Sequence, residues 1–234
     1  MVARVAAVLI GYVFGLFQTA FFYGKLKGID IREHGSGNSG TTNALRVLGR
    51  KAGLIVFLGD CLKCIFAALL VRAIFGQSHE EIIKLLCLYT GAGTILGHNY
   101  PFYMNFKGGK GIAATAGMMI AFDPWFTLVG VITFFGLFFI THLVSLCSVV
   151  TYLVLFLMMI ICGQCGYFDG FTQANVIEAY ILFLLLTSLA IWKHRENIVR
   201  LIKGTERKTY LSKKNKEKNL EKDPEELQVK TSEN

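Results

Sequence analysis

Three short segments of the chain, residues 35–46, 107–111 and 194–208, bring together the residue types that bind phosphate. Glycines let backbone N–H groups converge on an anion, and Lys and Arg side chains supply positive charge. We call them the first, second and third phosphate segments. Their chemistry predicts that the protein handles a phosphate-bearing substrate.

The first phosphate segment, GSGNSGTTNALR, alternates glycine with hydroxyl and amide side chains. Alternating glycines allow the backbone to curl into an anion-binding nest, and the neighbouring side chains add hydrogen-bond donors. A flexible turn between helices is the alternative, but such turns rarely carry so many specific donors. The predicted phosphate-binding residues here are Gly35, Ser36, Gly37, Asn38, Thr42, Asn43 and Arg46.

The second phosphate segment, KGGKG, directly precedes an apolar stretch, so it is expected at the positive end of a helix dipole. The nucleotide-binding pattern G-x-x-x-x-G-K-[ST] does not fit, because Met104 stands at its first glycine and Gly111 at its hydroxyl. Two lysines that only set membrane topology are the alternative, although topology requires no glycines. The predicted binding residues are Lys107, Gly108, Gly109, Lys110 and Gly111.

The third phosphate segment begins with HRENIVR, which is predicted to be helical and to continue the last apolar stretch. Residues three apart share a helix face, so His194 and Asn197 would present an imidazole and an amide together, with either the guanidinium of Arg200 or Leu201 as the third member. Such a face is common beside a membrane and by itself would indicate only an interfacial anchor. Combined with the other two segments, it predicts one composite phosphate site.

The elements that must position these segments are membrane helices. The 234 residues are 53% hydrophobic with a mean hydropathy of +0.50, which is too apolar for an ordinary soluble domain. A helical span needs roughly 20 apolar residues. We therefore predict an all-α integral membrane protein whose spans are residues 3–24, 52–75, 80–100, 111–122, 124–141, 143–163 and 174–193.

The distribution of positive charge predicts how these spans are oriented. Of the 24 Lys and Arg residues, 20 lie between the first two spans, in the second phosphate segment, or from Lys193 onward. The positive-inside rule puts all three regions in the cytoplasm. The chain must then cross the membrane an even number of times between Lys110 and Lys193, so the short stretch 111–122 counts as a span. Seven transmembrane helices follow, with the N-terminus outside and the C-terminus and phosphate segments cytoplasmic.

The chain is predicted to form one membrane domain, residues 1–208, followed by a polar tail. The tail, residues 209–234, is rich in lysine and glutamate and too poor in apolar residues to order itself. Within the second span, Asp60 and Lys63 must face the bundle interior. They are expected to form a structural ion pair or to belong to the site.

The remaining polar positions are expected to serve helix packing. Ser145 and Ser148 lie near the start of the sixth span, where packing is the usual role of a hydroxyl. The cysteines are expected to be reduced and packed. The exception is Cys162 and Cys165 at a span end, for which the sequence leaves a disulfide bond as an alternative.

The three segments resemble those of the bacterial acyl-phosphate glycerol-3-phosphate acyltransferase family, the PlsY type. The matching stretches are GIDIREHGSGNSGTTNALRVLGRKAG, GHNYPFYMNFKGGKGIAAT and HRENIVRLIKGTERK, in the family's order and with similar spacing. The resemblance implies a seven-span enzyme of the bacterial cytoplasmic (inner) membrane. It would transfer a fatty acyl group from acyl phosphate to the sn-1 hydroxyl of glycerol 3-phosphate, giving lysophosphatidic acid and phosphate, the first acylation of phospholipid synthesis.

The resemblance also implies partners and roles for individual residues. The partners would be acyl phosphate, glycerol 3-phosphate and the lipid bilayer, with no nucleic acid and no cofactor; the oligomeric state stays open. The chain departs from the family at Cys64, at Gln18-Thr19 and at His142-Leu143, which concerns helix packing and the fit of the donor tail. The catalytic residues would be Ser36, Lys110, His194 and Asn197, with the other named residues of the three segments binding phosphate.

The sequence also bears on mechanism. No histidine is followed five residues later by aspartate, so the H-x-x-x-x-D pair of acyl-CoA-dependent acyltransferases is absent, and the scattered aspartates disfavour a metal mechanism. We expect direct attack of the glycerol hydroxyl on the acyl carbonyl, with His194 or a substrate phosphate oxygen as base. A covalent intermediate on Ser36 is the alternative mechanism. A transporter of a small organic phosphate is the alternative function, and a non-catalytic sensor is a third.

Overall fold

The computed structural model describes residues 1–211, which fold into ten α-helices joined by short loops. Residues 212–234 of the predicted tail lie outside the described residues. The helices are α1 Val2–Gly15, α2 Thr19–Leu26, α3 Thr41–Leu48, α4 Arg50–Phe75, α5 Ile83–Asn99, α6 Ile112–Phe122, α7 Pro124–Thr141, α8 Val144–Gln164, α9 Gln173–Lys193 and α10 Arg195–Ile202.

The predicted all-helical membrane architecture is confirmed, while the number of spans is only partly supported. Five stretches are long and apolar enough to cross a membrane: Val2–Leu26, Arg50–Phe75, Pro124–Thr141, Val144–Gln164 and Gln173–Lys193. The predicted spans 80–100 and 111–122 correspond to α5, with 17 residues, and α6, with 11 residues. Both are helical and shorter than the roughly 20 residues that a perpendicular span needs.

The first predicted span, 3–24, is interrupted. Helix α1 ends at Gly15 and α2 begins at Thr19, and two buried polar side chains stabilise the break, Gln18 within it and Lys63 of α4. The Gln18 amide nitrogen donates to the carbonyls of Gly15 (3.2 Å) and His98 (3.0 Å), and the Lys63 ammonium donates to the carbonyl of Phe17 (2.8 Å). Backbone groups freed within a membrane bundle need such partners.

Helices α1 and α5 pack backbone against backbone through glycines. A Cβ added at Gly11 or Gly15 would run into the backbone of α5, and one added at Gly93 or Gly97 would run into the backbone of α1. Small residues at both faces let two helices approach this closely. This contact fixes the end of α5 from which the second phosphate segment departs.

The predicted boundary at Asp123-Pro124 is confirmed. Asp123 ends α6 and its carboxylate accepts a hydrogen bond from the Trp125 backbone N–H (2.9 Å), while Pro124 occupies the first turn of α7. At the other end of α7, His142 adopts a left-handed conformation (φ 58°) that turns the chain into α8. These two turns let α6, α7 and α8 follow each other as antiparallel neighbours.

The first and third phosphate segments each contain a short helix. In the first segment the predicted backbone curl ends at Thr41, where α3 begins; α3 packs through Leu45 against Gly53 of α4. The third segment forms α10 directly after α9, with His194 at the junction. The helical prediction is therefore confirmed for residues 195–200, while His194 itself lies between the two helices.

Candidate active site

A cavity of about 950 Å³ lies between α3, α4, α7, α8 and α10, and all three phosphate segments contribute to its wall. The structure thus brings the segments together, as the prediction of one composite site requires. Four predicted residues do not line it: Gly37, Lys107, Gly108 and Gly109. The predicted residues that do are Gly35, Ser36, Asn38, Thr42, Asn43, Arg46, Lys110, Gly111, His194, Asn197 and Arg200.

In the first phosphate segment, Asn43 shapes the loop from within. Its amide oxygen accepts from the Ser36 N–H (2.8 Å), and its amide nitrogen donates to the carbonyls of Ile31 (3.1 Å) and His34 (3.0 Å). The Gly37 N–H is also engaged, with the His34 carbonyl (3.1 Å). The side chains of Ser36, Asn38 and Thr42 at the cavity wall are therefore better placed for a ligand than these N–H groups. Direct phosphate binding by Asn43 and Gly37 stays a prediction.

The second phosphate segment folds back over the C-terminal end of α5. The N–H groups of Gly108 and Gly109 donate to the carbonyls of Asn99 (3.2 Å) and His98 (3.1 Å), which the short helix leaves without helical partners. The glycines are needed for close packing here, because a Cβ on Gly109 would overlap the His98 ring. Lys107 is exposed and lies away from the cavity, so its predicted binding role has no structural support and stays a prediction.

Lys110, in contrast, projects into the cavity. Its ammonium group donates to the amide oxygen of Asn197, which joins the second phosphate segment to the third. Burial, together with the positive charge of Arg200, lowers the pKa of Lys110 to about 8, even though Glu206 acts in the opposite direction. Lys110 is therefore still a cation at neutral pH.

His194, at the junction of α9 and α10, is buried with one ring nitrogen already paired. Its Nδ1 lies 2.8 Å from the Ala190 carbonyl, which can only accept, so Nδ1 carries the proton and Nε2 presents a lone pair. Burial and the positive charge of Lys110 lower the pKa of His194 to about 4. The imidazole is therefore neutral at physiological pH, with a free acceptor nitrogen.

The sequence interpretation gave no role to Glu206, yet this carboxylate organises the third phosphate segment. It accepts hydrogen bonds from Asn197 (2.7 Å), Arg200 (2.7 Å) and Ser145 (2.8 Å). Burial raises its pKa, but these three donors more than compensate, so the net shift is downward. A single carboxylate among the basic residues of GTERK was the available signal. Ser145, expected only to pack between helices, takes part in this network.

The chain after α10 also contacts the first phosphate segment. Arg46 donates to the backbone carbonyl of Arg207 (2.9 Å) and to the hydroxyl of Thr209 (2.6 Å), and the Thr209 N–H donates to the His142 carbonyl (2.8 Å). The residues that follow α10 therefore connect α3 to the turn between α7 and α8. Sequence spacing gave no indication of this contact.

Two further polar groups, Asp60 and His98, reach the cavity from α4 and α5. Asp60 forms the ion pair expected with Lys63 (2.9 Å), and the same ammonium lies 2.9 Å from Nδ1 of His98. The sequence left two roles open for Asp60 and Lys63, a structural ion pair or a part of the site. The structure supports both in part, because the two residues form an ion pair and Asp60 also lines the cavity.

Part of the cavity wall is apolar. Leu54 and Phe57 of α4 face Phe134, Phe135 and Phe138 of α7 across it. The mouth of the cavity, which has several cationic side chains, is therefore continuous with an apolar wall formed by membrane-spanning helices. The fold and the cavity define a helical membrane protein with a site for a molecule that has an anionic head group and an apolar chain.

Comparisons with known proteins agree with this class. The family model described as glycerol-3-phosphate acyltransferase matches residues 5–204. A glycerol-3-phosphate acyltransferase 2 of Bacillus cereus is 38% identical over 218 residues, covering 92% of this chain and 100% of the relative. The glycerol-3-phosphate acyltransferase of Thermosipho melanesiensis is 39% identical over 207 residues, covering 87% of this chain and 91% of the relative.

Two crystal structures of PlsY, an integral membrane glycerol 3-phosphate acyltransferase, have a similar fold. The glycerol 3-phosphate form gives a TM-score of 0.74 at 34% identity, covering 88% of this chain and 96% of that chain. The lysophosphatidic acid form gives 0.73 at 34% identity, covering 89% and 96%. The chain therefore belongs to the glycerol-3-phosphate acyltransferase family, as its three segments predicted, and it is an acyltransferase.

Proposed function

We propose that this cavity transfers a fatty acyl group from acyl phosphate to the sn-1 hydroxyl of glycerol 3-phosphate, giving lysophosphatidic acid and phosphate. The observation that carries the proposal is the single cavity that joins the phosphate segments to an apolar wall. Both substrates bear phosphate, and one bears a fatty chain. The solved relatives in glycerol 3-phosphate and lysophosphatidic acid forms support the same acceptor and product. Family membership decides against the transporter alternative.

The cationic residues at the mouth would hold the phosphate groups. Arg46, Lys110 and Arg200 come from the three different segments and all line the cavity. The hydroxyls of Ser36 and Thr42 and the amide of Asn38 add donors beside them. Such groups stabilise the charge that develops on the departing phosphate, which is already a good leaving group. Positioning and electrostatics then supply most of the acceleration, with no cofactor required.

The proton of the attacking hydroxyl would leave to the Nε2 lone pair of His194 or to a substrate phosphate oxygen. His194 has the right geometry, because the Ala190 carbonyl holds the proton on the other nitrogen. Its low pKa makes it a weak base at neutral pH, so it would take the proton only while the new C–O bond forms. We propose direct attack, with a covalent acyl intermediate on Ser36 as the mechanism to be excluded by trapping with labelled donor.

We further propose seven spans, with α5 and α6 included, in the bacterial cytoplasmic membrane. Asn99 at the end of α5 packs beside Gly111 at the start of α6, and Gly111 and His98 line the cavity, so both helices would begin or end below the cytoplasmic surface. Their shortness is then a consequence of where the site lies. The N-terminus would be outside, and the C-terminus and the cavity mouth would be cytoplasmic.

Lys110→Ala tests the proposed reaction in detergent-purified protein supplied with acyl phosphate and glycerol 3-phosphate. We expect kcat/KM for lysophosphatidic acid formation to fall by about 100-fold or more, since a buried cation that contacts developing charge is lost. Lys84→Ala, whose lysine lies far from the cavity and 3.9 Å from Asp123, is the matched control and should keep wild-type turnover. Full turnover by Lys110→Ala would refute the site, and a wild-type protein that makes no product would refute the reaction.

A further inference from the structure

The chain that follows α10 forms part of the cavity wall. Arg207, Thr209 and Leu211 all line the cavity. We call residues 207–211 the strap. Thr209, in the middle of the strap, is only 3% exposed. A residue so buried is held against the rest of the protein, so the strap is a docked element and not a loop that is free in solvent.

Three elements around the cavity hold the strap. Glu206, the residue before it, accepts a hydrogen bond from Arg200 of α10 (2.7 Å). At the far side, the Thr209 N–H donates to the carbonyl of His142 in the turn between α7 and α8 (2.8 Å). Arg46 of α3 binds the strap between these two points. The strap therefore bridges α10, α3 and the turn after α7 at the cavity.

The contact with Arg46 uses one nitrogen of the guanidinium. Nη2 donates to the Arg207 carbonyl (2.9 Å) and to the Thr209 hydroxyl (2.6 Å), so both of its hydrogens are engaged by the strap. A guanidinium offers two parallel N–H groups along two edges, one with Nε and Nη2 and one with both Nη nitrogens. Because Nη2 belongs to both edges, Arg46 cannot bind a phosphate through two parallel donors while the strap is bound.

Phosphate is a stronger acceptor for Arg46 than the strap is. The strap offers a carbonyl and a hydroxyl, both neutral, whereas a hydrogen bond from a guanidinium to an anionic oxygen is roughly twice as strong as a neutral one. Burial lowers the pKa of Arg46, and the positive charges of Arg207 and Arg200 act in the same direction, against the carboxylate of Glu206. An anion beside Arg46 relieves this repulsion, so phosphate competes with the strap for the guanidinium.

We propose that the strap is a gate released by phosphate: it closes over the cavity by occupying Nη2 of Arg46, and a phosphate that takes two parallel donors of Arg46 displaces it. This inference rests on the proposed function, which assigns phosphate binding to Arg46. The phosphate belongs either to glycerol 3-phosphate or to the acyl donor, which leaves it behind as inorganic phosphate. Glu206 is the hinge, because its hydrogen bonds to α10 involve no atom of the strap.

The competition fixes the sign of the effect on binding. When a ligand binds only the open form, its apparent dissociation constant is the intrinsic one divided by the fraction of molecules that are open. A weaker strap must therefore tighten the binding of phosphate. If Thr209 instead served to orient Arg46 for phosphate, loss of its hydroxyl would weaken the same binding, so the two roles predict opposite changes.

Hydrogen exchange in the full-length protein tests the release directly. The His142 carbonyl protects the Thr209 N–H while the strap is docked. We expect saturating glycerol 3-phosphate or inorganic phosphate, compared with chloride at equal ionic strength, to raise the exchange rate of this N–H by about fivefold or more. The Lys203 N–H, bonded to the Val199 carbonyl at the end of α10 (3.1 Å), is the control and should not change. The ligand that acts identifies which phosphate Arg46 binds, and an unchanged rate with both would overturn the gate.

Thr209→Val tests the competition, because it removes the hydroxyl acceptor and keeps the shape of the side chain. For the ligand that releases the strap, we expect KM of glycerol 3-phosphate or the inhibition constant of inorganic phosphate to fall by about three- to tenfold. Thr205→Val is the matched control, since Thr205 is exposed and does not line the cavity, and it should keep wild-type constants. A raised or unchanged constant in Thr209→Val would overturn the gate.

These measurements distinguish failure of the strap from failure of the proposed function. Wild-type protein that makes no lysophosphatidic acid from acyl phosphate and glycerol 3-phosphate overturns the function. Active wild-type enzyme in which neither ligand changes exchange at Thr209 overturns only the gate. Thermal unfolding in detergent checks that Thr209→Val is folded, and the exchange experiment uses the wild-type protein, so it decides the question even if the variant does not fold.

Discussion

At the scale of single residues, Lys110 should set the alkaline limit of activity. Burial lowers its pKa to about 8, and its charged form is the one that binds phosphate. We therefore predict that kcat/KM is maximal below pH 8 and falls as the pH rises through this value. Lys110→Arg should move this limit to higher pH, since a guanidinium stays charged. A profile of kcat/KM that has the same alkaline limit in both proteins would contradict the assignment.

Glu206 should matter for stability more than its single carboxylate suggests. Its removal leaves the donors of Asn197, Arg200 and Ser145 without their shared acceptor, at a cost of about 1–3 kcal/mol. We predict that Glu206→Ala lowers Tm in detergent by several degrees, and that Glu196→Ala, whose side chain is 75% exposed, does not. Equal Tm values for the two variants would show that the network adds no stability.

The same network predicts a pH dependence of stability. The pKa of Glu206 is lower in the folded protein than its usual value of 4.5, so its contribution is complete above pH 4.5. It is lost as the pH falls through the folded pKa. Residue types near 35–46, 107–111 and 194–200 indicated the site, but the role of Glu206 could not be inferred, because its donors lie on α8 and α10 and the carboxylate itself lies in the loop after α10.

At the scale of elements, a helix boundary could be predicted where the local sequence itself contains a signal that ends a helix. Asp123-Pro124 marked a boundary because proline interrupts helical hydrogen bonding and disfavours helix at the residue before it. The break between Gly15 and Thr19 had no such signal. It is stabilised by Lys63 and by the Gln18 contact to α5, which are distant in sequence and meet only in the folded bundle.

The close glycine contact between α1 and α5 predicts that a larger residue at this contact destabilises the packing of α5. Gly93→Ala places a methyl group against the α1 backbone and should force the helices apart. Overpacking of this kind costs about 1–3 kcal/mol, and the end of α5 moves with it. We expect a lower Tm together with a raised KM for glycerol 3-phosphate. Gly136→Ala, where nothing lies within 4 Å of the added atom, should leave both unchanged. A Gly93→Ala protein with wild-type Tm would contradict close packing.

At the scale of the whole molecule, charge counting placed the three phosphate segments on one membrane face, and the structure joins them in one cavity. The inward extent of that cavity could not be predicted from charge. It depends on the position of the C-terminal end of α5, on the placement of α7 opposite Phe57, and on the contact between Arg46 and the chain after α10. Each of these is a tertiary contact between residues far apart in sequence.

The sidedness of the whole molecule can be tested at Cys165. Helix α8 starts at the cavity beside Ser145 and is 21 residues long, so its other end lies about 30 Å away and Cys165 should lie outside when the cavity is cytoplasmic. Cys165 is exposed, Cys162 is partly buried and the other four cysteines are buried. We predict that a membrane-impermeant maleimide applied to the outer face labels the protein, and that Cys165→Ser removes most of the label. Pretreatment with a reductant separates a disulfide with Cys162 from burial. Labelling of reduced protein only from the cytoplasmic face would invert the proposed topology.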